Sequence, residues 1–557
     1  MKFRSLVASV GLVVFFATSL PACNPPPQPS PASGEGGAAA LLTPTRPPFT
    51  LAAAIKRSVD LGPADRATTV YLSFGLKVRN AADFAALVAS GKTVSPDEYA
   101  ARFELDARSV EHAVAVLQTA GARASWQPGS SVLAADAPAP LAASLLSIGI
   151  ENYRLADGTT FYASLDQPTI PAQLAAVADN VSGLDSYRRA RTRAVPAGGL
   201  TATDILAFYN LKPLRDAGLD GSGQTIVLPE IDDLPNLNDL NKFATKFGLP
   251  PFDPVLTVKR DPSWGTPEKP QGETVLDLEI IHEIAPKAKL VVYLSAADFA
   301  HGDRAFDQMV KDHLGSIISE SLGSCEADTP SGHRDTYATI QDRASALGMS
   351  HFVASGDNGA FECGQDQPAS GSFPATLPTV TAVGGTTVFE SDQGLYYQES
   401  AWGSPIDESG GGGGASHFYS LPSWQRNISN ASGHGYRQVP DVAAVADPMT
   451  GFHIIFGGKD GQAGGTSAST PLWAAVIALI NQDLKKKGLN EVGFANPALY
   501  WMGDNLAKLP SKPFHDVTTG NNLGYNAGPG WDFATGWGSM DGVALDSAWV
   551  LYKKSGG

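Results

Sequence analysis

Ser467 lies in the stretch Gly464-Gly465-Thr466-Ser467-Ala468-Ser469-Thr470-Pro471, directly ahead of the apolar run Leu472 to Ile480. A Gly-Thr-Ser turn that opens into a buried helix presents a hydroxyl. The glycines allow a sharp bend and close approach of another backbone. The first turn of a helix leaves N–H groups unpaired, and negative charge is favoured beside them. Those conditions suit a nucleophile whose attack creates an oxyanion. A serine at a helix start is also a common N-cap. A nucleophile reading therefore needs an acid, a base and an oxyanion donor elsewhere in the chain.

Gln271-Gly272-Glu273-Thr274-Val275-Leu276-Asp277 supplies two carboxylates four residues apart at a predicted helix start. At 100° per residue they lie about 40° apart, on one face. The same face continues through Ile280, Ile281 and Ile284. Acids on such a core-facing stripe are costly unless paired or functional. Adjacent carboxylates push one pKa up, which yields a group able to take and return a proton in acid. Taken alone, the pair also reads as first-turn acids complementing a helix dipole.

Histidine offers a rival base. His282 falls on the opposite side of that helix from Glu273. The order Asp232, His301, Ser467 permits a histidine triad. His301 is predicted in a loop between a strand and a helix, without the Thr and small residues that usually frame such a histidine. His351, His417, His434 and His453 stand alone and read as structural.

Ser355-Gly356-Asp357-Asn358-Gly359 follows a predicted strand. It reads as a tight turn. Functionally, a protonated Asp357 donates a hydrogen bond to an oxyanion, which requires acidic medium or a raised pKa. Further on, Asp516-Val517 precedes Gly528-Pro529-Gly530-Trp531-Asp532. Two carboxylates plus carbonyls from glycine-rich backbone form a hard-oxygen set suited to Ca²⁺.

The elements that must position these residues alternate. Strands are predicted at Thr225 to Leu228, Leu290 to Leu294, Ile317 to Ser319, Phe352 to Ala354 and Val380 to Val383. Helices fall between them at Val275 to Ile284, Phe306 to His313 and Thr339 to Leu347. This rhythm predicts an α/β domain from about 201 to 557, a parallel sheet with helices on both faces. Sites in such sheets lie at the carboxyl ends of the strands.

A smaller α+β domain is predicted over 51–187. Val70 to Val78 alternates like a strand. Ser95-Pro96-Asp97-Glu98 starts a helix. Val110, Ala113, Val114 and Leu117 follow helical spacing up to Gly121. Phe161 to Ala163 reads as a strand and Pro171 to Val181 as a helix. Residues 188–200, with Arg188, Arg189, Arg191 and Arg193, read as a flexible linker or a processing site.

Residues 1–23 form a targeting segment: Lys2 and Arg4, an uncharged run from Ser5 to Leu20, then Leu20-Pro21-Ala22-Cys23. The end resembles a lipoprotein signal with Cys23 lipidated and anchored to the membrane; ordinary cleavage nearby is the alternative. Residues 24–50, rich in Pro, Ser, Gly and Ala, form a linker that cannot bury a core. Cys325 and Cys363, the remaining cysteines of an exported chain, read as a disulfide or as two buried thiols. The net charge of −16 at only 17% charged residues disfavours a nucleic-acid partner, which would want clustered Lys and Arg. Low charge density also limits self-repulsion in acid.

Taken together, these motifs resemble the sedolisin family of serine-carboxyl peptidases. The carriers are Gly465 to Ser469, Glu273 with Asp277, Ser355-Gly356-Asp357, and Asp516-Val517 with Gly528, Gly530 and Asp532. Pro440-Asp441-Val442, Ala446-Asp447-Pro448 and Gly410 to Ser416 also match, and 51–187 resembles the activation prodomain, ending in Val181-Ser182-Gly183-Leu184. The resemblance implies a subtilisin-like doubly wound sheet preceded by a ferredoxin-like prodomain that acts as intramolecular inhibitor and chaperone. It implies Ser467 as nucleophile, Glu273 as base oriented by Asp277, Asp357 at the oxyanion, Glu230 extending their network, and one structural Ca²⁺. The expectation is a self-processing, acid-active endopeptidase for polypeptides, a monomer without nucleic-acid partner. A histidine-triad subtilase and a degenerate peptide-binding lipoprotein are its rivals. One departure stands out: where a member of the family carries Ser-x-Ser-Trp-Gly, this chain has Ser319-Glu320-Ser321-Leu322-Gly323. The Trp that would extend the carboxylate network is Leu322.

Overall fold

The computed structural model describes residues 51, 55–56, 58–155, 160–187, 199–364, 367–390, 395–405, 408–428 and 435–556. The expectations for the targeting segment with Cys23, for the linker up to residue 50, for the arginine-rich stretch and for His434 lie outside them.

The N-terminal part is α+β. Besides a small antiparallel sheet of Val59–Pro63, Glu151–Arg154 and Thr160–Ala163, it contains β1 (Thr69–Leu76), α1 (Ala81–Ala89), α2 (Pro96–Phe103), α3 (Ala107–Ala120), β2 (Arg123–Ser125), β3 (Val132–Pro138), α4 (Ala139–Leu146) and β4 (Ala178–Ser182). Strands β1 to β4 form one antiparallel sheet in the order β2-β3-β1-β4, the ferredoxin-like arrangement. Ser95 caps α2 by accepting the Glu98 N–H at 3.2 Å. Val110, Ala113 and Leu117 of α3 bury against Val70, Leu72 and Phe74 of β1.

One expectation fails here. Pro171 to Val181 is not a helix: its first residues make turns, with the N–H groups of Leu174 and Ala175 both on the Pro171 carbonyl. The chain then enters β4, where Val181 pairs with Phe74. The alanine-rich composition favours helix locally, but completing the sheet edge overrides that weak preference.

The larger part is built on β5 (Thr225–Glu230), β6 (Leu256–Arg260), α5 (Glu273–Ile284), β7 (Lys289–Leu294), α6 (Phe299–Asp312) and β8 (Ile317–Glu320). It continues with α7 (Ser331–Ala346), β9 (Ser350–Ala354), β10 (Thr381–Glu390), β11 (Tyr396–Ala401), β12 (Val442–Val445) and α8 (Thr466–Lys486). The sheet order is β11-β10-β9-β8-β5-β7-β6, with β12 also pairing β10. All pairings are parallel except β10 with β11.

Alternate strand residues point to opposite faces, and both faces are covered. Ile226, Leu228, Leu290 and Val292 pack with α5 and α8. Val227, Val291 and Tyr293 pack with α6 and α7. The N-terminal sheet lies over α6 and α7. Arg304 on α6 donates to the Leu72 carbonyl at 3.1 Å and to Asp136 at 2.7 Å. Ser182 and Ser130 donate to Asp303 and Asp307, each at 2.6 Å. Only a glycine fits at position 332, where a Cβ would sit 1.8 Å from the Val181 carbonyl oxygen.

Candidate active site

The order of the sheet reverses beside β5. β7 lies on one side of it and β8 on the other, which makes a crevice at the strand carboxyl ends. Four segments converge there: Glu230 at the end of β5 with Asp232 just beyond it, Ser321 after β8, Asp357 after β9, and the start of α8.

Both helices that carry candidate residues begin at a glycine in the left-handed region, Gly272 with φ 110° and Gly465 with φ 95°. Neither glycine can cap with a side chain, so an aspartate from another segment does. Asp232 accepts the N–H groups of Gln271, Gly272 and Glu273 at 2.5, 2.8 and 2.8 Å. Asp357 Oδ1 accepts both the N–H and the hydroxyl of Thr466 at 2.8 Å. These bonds satisfy donors that a helix leaves unpaired. They also fix where Glu273 and Ser467 stand.

Ser321 joins the serine to the carboxyl cluster. Its hydroxyl approaches both Asp277 oxygens, at 2.9 and 2.8 Å, and the Ser467 carbonyl at 3.1 Å. Ser467 Oγ in turn donates to the Ser321 carbonyl at 3.4 Å. Behind them Glu230, Glu273 and Asp277 are almost fully buried. Burial pushes the Asp277 carboxyl well above its usual range, while hydrogen bonds from Ser321 and Glu230 pull against this. Glu230 is raised by burial first, then by the charges of Asp277, Glu273 and Asp232. A cluster of this kind holds protons that isolated carboxylates would have lost.

The histidine reading fails on geometry. His301 lies in the first turn of α6, not in a loop, because Asp298 caps that helix and accepts the His301 N–H at 3.2 Å. Its Nδ1 pairs with Asp298 at 2.7 Å and its ring packs on Tyr71 at 4.4 Å. Asp232 is committed to the α5 N-terminus. His282 Nε2 is 2.7 Å from the Pro250 carbonyl. His351 meets Glu320 at 3.0 Å, and His453 meets Asp460 at the same distance. His417 uses its backbone N–H on Glu326.

Residues 56–187 match the family model "Pro-kumamolisin, activation domain", and residues 266–538 match "Subtilase family". Kumamolisin from Bacillus sp. (strain MN-32) is 33% identical over 457 residues, 76% of this chain and 79% of that protein. The chain belongs to the sedolisin family. Sedolisin from Pseudomonas sp. (strain 101) is 29% identical over 530 residues, covering 86% of this chain and 87% of that protein. The structure titled "Pseudomonas sedolisin (serine-carboxyl proteinase) complexed with two molecules of pseudo-iodotyrostatin" superposes with TM-score 0.56 at 32% identity. It covers 64% of this chain and 99% of that one. The chain is thus a serine-carboxyl peptidase of subtilisin-like fold with an activation domain.

Of the residues expected from the sequence, Asp357 docks on Thr466 at the start of α8, Asp277 reaches Ser467 through Ser321, and Glu273 lies close enough to Glu230 for its charge to act there. The sequence points to Ser321 and Thr466 only inside their motifs, without a role for either. Serine and threonine flanking a candidate nucleophile were the available signals for both.

Cys325 and Cys363 form a disulfide, which ties the segment after β8 to the segment after β9 and fits an oxidising compartment. Among the described residues, no helix is long and apolar enough to cross a membrane.

The Asp516–Asp532 segment folds both carboxylates onto one glycine-rich turn. Gly530 N–H donates to Asp516 at 3.1 Å, and Gly528 N–H to Asp532 at 2.9 Å. Burial pushes Asp532 up to about 6. Among the described residues, no group of three or more His, Cys, Asp or Glu side chains could hold a metal ion. Any ion here would rely on two carboxylates and backbone carbonyls, an all-oxygen set that fits Ca²⁺.

Proposed function

We propose that this protein is an exported, self-processing, acid-active endopeptidase that cleaves polypeptides through an acyl-enzyme on Ser467. The observation that carries the reading is the chain Ser467–Ser321–Asp277, in which the serine leads to buried carboxyls rather than to a histidine.

Glu273 takes the Ser467 proton as Oγ attacks the scissile carbonyl carbon. Asp277 orients Glu273. Protonated Asp357 donates a hydrogen bond to the tetrahedral oxyanion. On collapse the C–N bond breaks, the amine leaves with the proton from Glu273, and an ester to Ser467 remains. Water, giving its proton to Glu273, then attacks the ester; the peptide acid departs and the serine regains its proton. Carboxyls in place of histidine set the working range in acid.

The activation domain is read as an intramolecular inhibitor and folding aid, separated by cleavage within 188–200. Export is read from residues 1–23, with anchoring through Cys23 if that residue is lipidated. Asp516 and Asp532, with the carbonyls of Val517, Gly528 and Gly530, are read as holding one Ca²⁺. The ion supplies a positive centre that stabilises the loop.

The test is Ser467→Ala. The variant is expected to remain an unprocessed precursor without peptidase activity at pH 4. Maturation of that variant alone, with retained cleavage, would sink the reading.

A further inference from the structure

β8 is held unevenly at the end that serves the site. It pairs with β5 only through Ile317 and Ile318, whereas its pairing with β9 runs on to Glu320, opposite Val353. Ser319 and Glu320 therefore have a strand neighbour on one side alone. Yet Ser321, the next residue, must place its hydroxyl on Asp277 and its carbonyl on Ser467 Oγ.

Successive residues of a strand point to opposite faces. Ser321 faces α5 and α8, and Glu320 projects to the other face, among α6 and α7. There its carboxyl, in a residue 4% exposed, lies 3.0 Å from His351 Nε2 of β9 and accepts the hydroxyl of Tyr337 on α7. Burial, and then the Glu320 charge, push the Tyr337 hydroxyl well above its ordinary value, so it keeps its proton and donates it.

His351 is 1% exposed, and its ring packs on Phe306 of α6 with centroids 5.6 Å apart. Its Nδ1 is 2.8 Å from Gln341 Oε1. The amide is held that way round because its Nε2 donates to the Thr379 carbonyl at 2.8 Å. An imidazole with an acceptor at each nitrogen carries both protons, and in acid that is its ordinary state. The result is a buried ion pair that ties the end of β8 to β9 and α7. Removing one partner of such a pair strands the other's charge.

We propose that Glu320 and His351 are positioning residues for the reaction: their pair pins the one-sided end of β8, so that Ser321 stands between Asp277 and Ser467. The proposal rests on the peptidase reading above and adds two residues to the same site, acting through the backbone of Ser321.

The test is a double-mutant cycle at pH 4, read as the rate of self-processing of the full chain and as kcat and KM of the mature enzyme. Glu320→Gln keeps the size of the side chain and removes its charge. It is expected to lower kcat about tenfold or more, with KM nearly unchanged. In a Ser321→Ala background the same substitution is expected to change kcat by no more than about twofold, because the residue it positions has gone. His351→Phe keeps a ring against Phe306, removes the charge from the other side, and gives the same reading should Glu320→Gln not fold. A wild-type kcat in both variants would overturn the proposal, even with a lowered melting temperature. An equal loss with and without the Ser321 hydroxyl would also overturn it, since a merely structural role gives that result. Ser467→Ala is run beside them: activity that survives it overturns the peptidase reading and the proposal together, whereas loss there with wild-type kcat in Glu320→Gln and His351→Phe overturns the proposal alone.

Discussion

Asp357 is docked on the residue next to Ser467: one of its carboxyl oxygens accepts both the N–H and the hydroxyl of Thr466, at 2.8 Å each. The Thr466 hydroxyl also meets the Gly356 backbone at 3.1 Å. The turn after β9 and the start of α8 are thereby locked together. Thr466→Val keeps the backbone donor and removes the hydroxyl. The substitution also removes the acceptor of the Gly356 N–H; loss of the bond to the carboxyl alone costs about 1–3 kcal/mol. If that loss falls on the transition state, kcat drops roughly 10- to 100-fold. Steady-state kinetics on the mature variant should show that drop with KM nearly unchanged; an unchanged kcat would remove Thr466 from the account.

Ser321 is the second junction. Its hydroxyl is the donor that Asp277 receives from outside the carboxyl cluster. Ser321→Ala leaves a buried carboxyl without that donor, at about 1–3 kcal/mol. The expected signature is a shifted acid limb of the pH–rate profile together with lower kcat, because the proton balance of the cluster changes. A variant with lower thermal stability but an unshifted profile would confine Ser321 to a structural role.

The buried acids also set how stability depends on pH. Burial pushes Glu399 up to about 7 and Asp342 to about 6. Glu279 and Glu283, on α5, are raised well above their usual range by the same cause. The unfolded chain ionises these groups near pH 4, so between there and the raised values the folded protein binds more protons. Stability then falls as pH rises, by about 1.4 kcal/mol per pH unit for each extra proton held. Asp298 and Asp312 are shifted down against burial, by His301 and by Lys259 respectively. The stability they lend is lost only as pH falls through their lowered values. Thermal unfolding from pH 3 to 8 should show a maximum near the ordinary carboxylate pKa and a decline toward neutrality. Glu399→Gln should flatten the upper limb; a melting temperature that climbs steadily to pH 8 would contradict the argument.

The glycine-rich loop gives a chelation test. The Ca²⁺ proposed between Asp516 and Asp532 would bind the folded state, so its removal would lower stability by mass action. The melting temperature should fall on adding chelator and recover with Ca²⁺. Asp516→Asn should abolish the response. Equal melting curves with and without chelator would remove the ion from the account.

Much of this site was legible in the sequence because its chemistry is local. Glu273 and Asp277 declare themselves by helical spacing, and Ser467 by the turn before an apolar helix. What stayed hidden is long-range. Nothing near Gly272 says that Asp232, forty residues earlier, caps its helix. That capping removes Asp232 from any triad. His301 sits in a helix rather than a loop because Asp298 caps that helix. Residues 171–181 looked helical because alanine composition speaks locally, while the partner strand β1 lies a hundred residues upstream. The acids Glu279 and Glu283 are buried on α5. Their partners are the backbone N–H groups of Ile455 and Ala202, which only the fold brings close.

The central claim is that carboxyls rather than a histidine activate Ser467. It is tested most directly by kcat/KM against pH from 3 to 8 for mature wild type, Glu273→Gln and His301→Ala. The account predicts activity in acid that falls toward neutrality as the Glu230–Asp277 pair loses its proton. It also predicts loss of activity in Glu273→Gln and a wild-type profile in His301→Ala. An optimum near neutrality that survives Glu273→Gln and disappears in His301→Ala would contradict it.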